Sequence, residues 1–132
     1  MRAMSIALLV SGVLAVWTGT AAAQQKVPAF SLPETTHHFV LTKDGGVIFA
    51  EATNPDDTIT PDLIQTRLAR VAMTGLDALL PLKANINYRF EATDQGGQVV
   101  IRTSDPKTLN AIHDFLRLEI RELQTNDSDQ IN

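Results

Sequence analysis

Two Gly-Gly pairs constrain the fold of this chain more than any other feature. Each pair lies between two segments in which apolar and polar residues alternate; these are 37–43 and 47–53 around Gly45-Gly46, and 85–94 and 99–103 around Gly96-Gly97. Alternation with a period of two predicts strands, and Asp-Gly or Gly-Gly supplies the positive φ angles of a tight turn. The pattern therefore predicts two β-hairpins.

A helical pattern follows each predicted hairpin. In the first, Thr60 can cap the helix, Pro61 fits its first position, and apolar residues recur every three or four positions as far as Leu80. In the second, Asp105-Pro106 opens a similar stripe that ends at Leu123. The fold class predicted is α+β, a ββαββα pseudo-repeat whose four-stranded antiparallel sheet carries two helices on one face. Chance similarity of short alternating segments is the alternative to a true repeat.

The N-terminal segment has the features of an export signal. Arg2 precedes an apolar run over 6–17, and Ala21-Ala22-Ala23 presents small residues for cleavage before Gln24. The run is shorter than the roughly 20 residues that cross a bilayer, so residues 1–23 predict a cleaved signal peptide and a periplasmic protein without a stable membrane anchor. An uncleaved anchor is the alternative. We expect an extended leader over 24–36, one α+β domain over 37–125 and a flexible tail over 126–132.

Composition removes several classes of function. The chain has no cysteine, which excludes disulfides, thiolate metal sites and cysteine nucleophiles. Its formal net charge of −4 gives no footprint for nucleic acid, so nucleic acid is not an expected partner. The sequence has no Gly-x-Ser-x-Gly elbow, phosphate loop, dinucleotide fingerprint or His-Glu-x-x-His motif. No residue is thereby nominated as a nucleophile.

The three histidines, His37, His38 and His113, are the candidate metal ligands. Imidazole binds copper, zinc and nickel at neutral pH. Neighbours on a strand point to opposite faces, so His37 and His38 share one ion only if the strand begins at Phe39. His113 falls at the edge of the apolar stripe of the second helix. For each histidine the alternative is a structural imidazole.

Other charged residues have both a structural and a binding interpretation. Asp56-Asp57 lies between Pro55 and the predicted cap at Thr60, which favours a solvated turn over an acid–base pair. Four arginines on the predicted helices could meet an anion or an acidic partner, or pair with nearby carboxylates in solvent. They are Arg67, Arg70, Arg117 and Arg121.

Two motifs carry a family resemblance. His-His-Phe-Val-Leu-Thr-Lys-Asp-Gly-Gly-Val-Ile at 37–48 and Ala-Ile-His-Asp-Phe-Leu-Arg at 111–117 resemble a family of small exported bacterial proteins of unestablished function. The resemblance implies a metal site, because such relatives carry further histidines on the first helix, where this chain has Arg67 and Arg70. Sequences of this kind are sometimes named aspartate carbamoyltransferase. This chain lacks the two-domain size and the Ser-x-Arg-Thr pattern of those enzymes.

Three functions remain open. The first is a non-enzymatic periplasmic binding or accessory protein, with a transition metal ion held by His37, His38 and His113. The second is an interaction module that pairs with another copy or a partner protein through its open sheet face or a strand edge. The third is a small transferase or hydrolase, which would require His113 and a carboxylate to converge in a pocket.

Overall fold

The computed structural model describes residues 31–132. The elements in chain order are β1 (Thr35–Thr42), β2 (Gly45–Ala52), α1 (Thr60–Thr74), a 3-10 helix (Asp77–Asn85), β3 (Asn87–Thr93), β4 (Gly96–Arg102) and α2 (Pro106–Leu123). β1 begins before the predicted start at His37, because pairing with β2 extends to Thr35 opposite Ala52. The predicted signal peptide at 1–23 and the first part of the leader lie outside the described residues.

The four strands form one antiparallel sheet in the order β1-β2-β4-β3. The central pairing places Ile48 opposite Val99, equivalent positions of the two hairpins. α1 packs on β4 and β3, and α2 packs on β1 and β2. The buried strand residues share one face of the sheet, so both helices cover that face; these residues include Phe39, Leu41, Ile48, Ala50, Val99 and Ile101. The α+β prediction is confirmed, and the 3-10 helix is an addition to it.

The glycines act differently from the prediction. The turn residues are 43–44 and 94–95, and Gly75 is the one glycine with a positive φ among the described residues. Gly46 and Gly97 lie within strands under the two helices. A Cβ on Gly46 would stand 2.2 Å from Leu116 Cδ1, and one on Gly97 would stand 2.8 Å from Glu91 O and 2.9 Å from Phe90 Cε1. The Gly-Gly pairs are therefore needed for close approach, which the turn interpretation missed.

The first helix is shorter than predicted. α1 ends at Thr74, because Gly75 takes φ +87° and its N–H donates to Val71 O at 2.7 Å. The chain continues as the 3-10 helix, with Leu76 and Leu79 still buried. The apolar spacing thus continues beyond the end of the α-helix, and the predicted helix to Leu80 is wrong in its last turns.

Aspartates hold both helix N-termini. Asp105 caps α2 as its position predicts, with Oδ2 accepting the Thr108 N–H at 2.9 Å. At α1 the expected cap Thr60 instead lies inside the helix, and Asp57 Oδ1 accepts the Thr60 N–H at 2.9 Å. The hydroxyl of Thr60 also donates to Asp57, and this bond lowers the pKa of the Asp57 carboxyl. The Thr108 hydroxyl lowers the pKa of Asp105 in the same way.

Candidate functional site

His37 and His38 point to opposite sides of β1. His37 is buried on the helix-covered face. The pKa of its imidazole is lowered, mainly by this burial and secondly by the charge of His38. His38 is on the open face with 52% of its side chain exposed, and its Nδ1 lies 3.0 Å from Asp127 Oδ1. Regular strand geometry therefore separates the two candidate ligands.

His113 holds α2 to the first hairpin turn. It is 4% exposed, and its Nε2 lies 2.7 Å from Thr42 O and 3.0 Å from Gly45 O. Both partners are carbonyl oxygens, which only accept, so Nε2 carries the proton and donates to both. The partners of this nitrogen are carbonyl oxygens and not a carboxylate. Nε2 of His113 therefore forms no pair with a carboxylate of the kind that a hydrolase or transferase would use.

The histidines are not brought together. Thr42, which His113 contacts, is at one end of β1 and His37 is near the other, about 17 Å away along an extended strand. Within residues 31–132, no group of three or more histidine and carboxylate side chains is arranged to hold a metal ion. A single ion bound by His37, His38 and His113 would thus require a rearrangement of β1 and α2.

The C-terminal tail lies along the outer edge of β1. Asp127 Oδ2 accepts the Phe39 N–H at 2.9 Å, and Asn132 N–H donates to Leu41 O at 2.9 Å. Ile131 forms a parallel bridge with Leu41. The sequence predicts a flexible segment at 126–132, whereas the structure places it against the main chain of β1. The tail therefore covers this edge of the sheet.

Hydrogen bonds favour the ionised form of Asp127. Its partial burial opposes ionisation, but bonds from Thr125, the Phe39 N–H and His38, together with the His38 charge, leave the pKa of Asp127 below its usual value. Its carboxylate thus joins the tail both to a side chain and to the main chain of β1.

Among residues 31–132, the opposite edge of the sheet, along β3, is free of main-chain partners outside the sheet. Phe90 and Ala92 of β3 are equivalent in the repeat to Phe39 and Leu41 of β1, because each pair lies the same number of residues before the two-residue turn of its own hairpin. Phe39 and Leu41 direct their main-chain groups outward, where the tail meets them, so the same alternation directs those of Tyr88, Phe90 and Ala92 outward on β3. In the described part of the chain no hydrogen bond from outside the sheet reaches these three main-chain segments.

The open face of the sheet is partly apolar. Its central row contains Val40, Val47 and Val100, which lie opposite one another on neighbouring strands and are half-buried. Phe49 adjoins them on β2, also half-buried. Charged residues of β3 border this row, with Arg89 directly opposite Val100. This face extends to the free edge at β3.

A small cavity of about 170 Å³ lies between α1 and the 3-10 helix. Arg67 and Arg70 line it together with Phe115 and Asp77. The arginines would attract an anion, but Asp77 supplies an opposing carboxylate in the same wall.

Two relevant side chains were missed from the sequence. Glu119 is fully buried in α2, and its position relative to Ile112 and Leu116 could have placed it on the buried stripe. Asp127 lies in a polar tail without periodicity, so no local signal indicated its contact with β1.

Comparisons with known proteins leave the family resemblance a prediction. Among the described residues, no helix is long and apolar enough to span a bilayer. Neither the protein-family models, nor the curated proteins, nor the solved structures contain a match to this chain.

Proposed function

We propose that this chain is a non-enzymatic, exported binding protein that binds a partner protein by strand addition at the edge of β3. The observation that carries the proposal is the difference between the two edges of the sheet. β1 is covered by the tail, while the equivalent groups of β3, at Tyr88, Phe90 and Ala92, have no partner outside the sheet in the described chain. Exported location remains a prediction from residues 1–23.

An uncovered edge has a direct physical use. A strand edge presents alternate N–H and C=O groups that an extended partner segment can bond, and natural proteins usually cover or shorten such edges. β3 spans seven residues, long enough to pair with a full strand. Its two sides also differ, because Tyr88 and Phe90 face the helices while Arg89 and Glu91 face the open side. A partner strand would therefore meet an apolar and a charged side.

The metal-binding hypothesis has weaker support. His113 uses one ring nitrogen to hold the first turn, and His37 and His38 lie on opposite faces of β1. Copper, zinc or nickel binding by all three stays a prediction that the strand edge does not depend on.

A proline at position 92 tests the edge. Ala92 is exposed, and its N–H points away from β4, so Ala92→Pro removes an outward donor while leaving the β3–β4 ladder in place. Val47→Lys is the matched control, because it places a charge on the open face and leaves both edges unchanged. Each variant of the full chain is expressed in the organism that naturally produces it, and the size of the complexes that contain it is measured under non-denaturing conditions.

The expected result is that wild type and Val47→Lys migrate in a complex larger than one chain, while Ala92→Pro migrates as one chain. A single-chain size for wild type would refute the proposal. Loss of the complex in Val47→Lys with retention in Ala92→Pro would move the binding site to the open face. Circular dichroism of each purified variant must show the wild-type spectrum.

A further inference from the structure

The charges on β3 are arranged symmetrically about Phe90. Arg89 and Glu91 flank this residue on the open face, and within one chain Arg89 Nε lies 3.0 Å from Glu91 Oε2. Reversal of the strand direction exchanges the positions of the positive and negative side chains. A second β3 strand, placed antiparallel, is therefore complementary in charge to the first.

We propose that the partner at this edge is a second copy of the chain, bound through antiparallel pairing of β3 with β3 and with Phe90 opposite Phe90. This inference rests on the proposed function, since it requires a β3 edge open to strand addition. Tyr88 then pairs with Ala92 of the second copy. These positions carry the outward main-chain groups, so the pairing forms about six hydrogen bonds and joins two sheets into one of eight strands.

The charges select this register among its neighbours. In it, Arg89 lies opposite Glu91 of the second copy, in the non-hydrogen-bonded pairing that brings side chains closest. Moving the symmetry axis by one residue towards the start of β3 places Arg89 opposite Arg89, and moving it the other way places Glu91 opposite Glu91. Both alternatives set like charges directly across the seam, which is destabilising.

The helix side of the seam leaves room for the second copy. Gln65 Nε2 donates to Thr93 O at 2.9 Å, which fixes the flank of α1 that lies over β3. Ala69 and Ala72 follow Gln65 at helical spacing on the same flank, and both are half-buried. Small side chains at these positions let the α1 helices of the two copies approach on either side of the seam.

A mixing experiment tests the charge pairing between copies. Arg89→Glu leaves two acidic residues on β3, and Glu91→Arg leaves two basic ones, so each variant repels itself. In an equimolar mixture both cross-strand pairs are attractive again, although the pair within each chain stays broken. Sedimentation of the purified full chain should show a wild-type dimer, about tenfold weaker self-association of each variant, and recovery to within about threefold in the mixture.

Matched controls separate this effect from general charge. Lys107→Glu and Glu122→Arg make the same charge changes at exposed positions of α2 and should leave the dimer unchanged. A mixture no more associated than its two components would overturn the β3–β3 register. A purified wild-type chain that stays single at about 200 μM, while its cellular complex is still lost in Ala92→Pro, would overturn the second copy as partner but retain strand addition. A wild-type chain that stays single both when purified and in cells would refute both proposals.

Discussion

His113 provides the sharpest test of how the two layers are joined. We expect His113→Ala to destabilise the protein by about 3 kcal/mol. Removing the Nε2–H donor leaves the buried carbonyl of Gly45 without this bond, which costs about 1–3 kcal/mol. Loss of the packed ring adds about 1–2 kcal/mol, because α2 cannot fully close the space left by a 4% exposed side chain.

The measurement is urea and thermal unfolding of the purified full chain. A loss of this size lowers Tm by on the order of 15 °C in a domain of this length. Asp114→Ala is the control, since it makes the same gain in helix propensity at the exposed neighbouring position. His113→Gln should recover part of the loss, because an amide N–H can reach one of the two carbonyls. An unfolding free energy of His113→Ala within about 0.5 kcal/mol of Asp114→Ala would refute the structural role.

Three further predictions follow from the same packing. Gly46→Ala should destabilise the fold by about 1–3 kcal/mol in urea unfolding, because the new Cβ would stand 2.2 Å from Leu116 Cδ1 and 2.6 Å from the main-chain oxygen of Val40; an unchanged midpoint would contradict these contacts. The pKa of Asp127 is lowered in the folded protein, so its bonds to β1 are fully formed above the usual carboxyl pKa of 3.8 and are lost as pH falls through the lower folded pKa. The amide resonance of Phe39 in NMR should shift in that pH range in wild type. It should stay unchanged over the same range in Asp127→Asn. Titration with copper, zinc or nickel should give the same weak affinity for wild type and His38→Ala, and a tenfold or larger loss in the variant would restore the metal hypothesis.

The repeat was predictable because its signals are local. Period-two alternation located all four strands, and Asp105-Pro106 located the start of α2. The first helix was extended too far, since Leu76 and Leu79 keep a helical spacing while Gly75 turns the main chain away. Apolar spacing records which residues are buried, and it does not record the dihedral angle that ends the helix.

The candidate site was much less predictable. His37, His38 and His113 stand out by residue type, but the sequence does not show how far apart they lie. His37 and His38 occupy opposite faces of β1, and the packing of α2 holds His113 against Thr42 at the far end of that strand. The contact between Asp127 and Phe39 joins residues distant in the chain, and no periodicity announces it. The free edge of β3 became identifiable only once the strand order was known, because either β1 or β3 could have been central in another arrangement.

If partners add to the sheet at β3, the tail on β1 limits each molecule to one such neighbour. A sheet with one open edge can add one neighbour, and a two-fold contact through that edge closes on itself. If Asp127 and Asn132 left β1, each molecule would carry two open edges, and pairing could propagate from chain to chain without closure. Residues 126–132 would prevent this growth while they are bound to β1, and their removal by a protease would allow a finite assembly to polymerise.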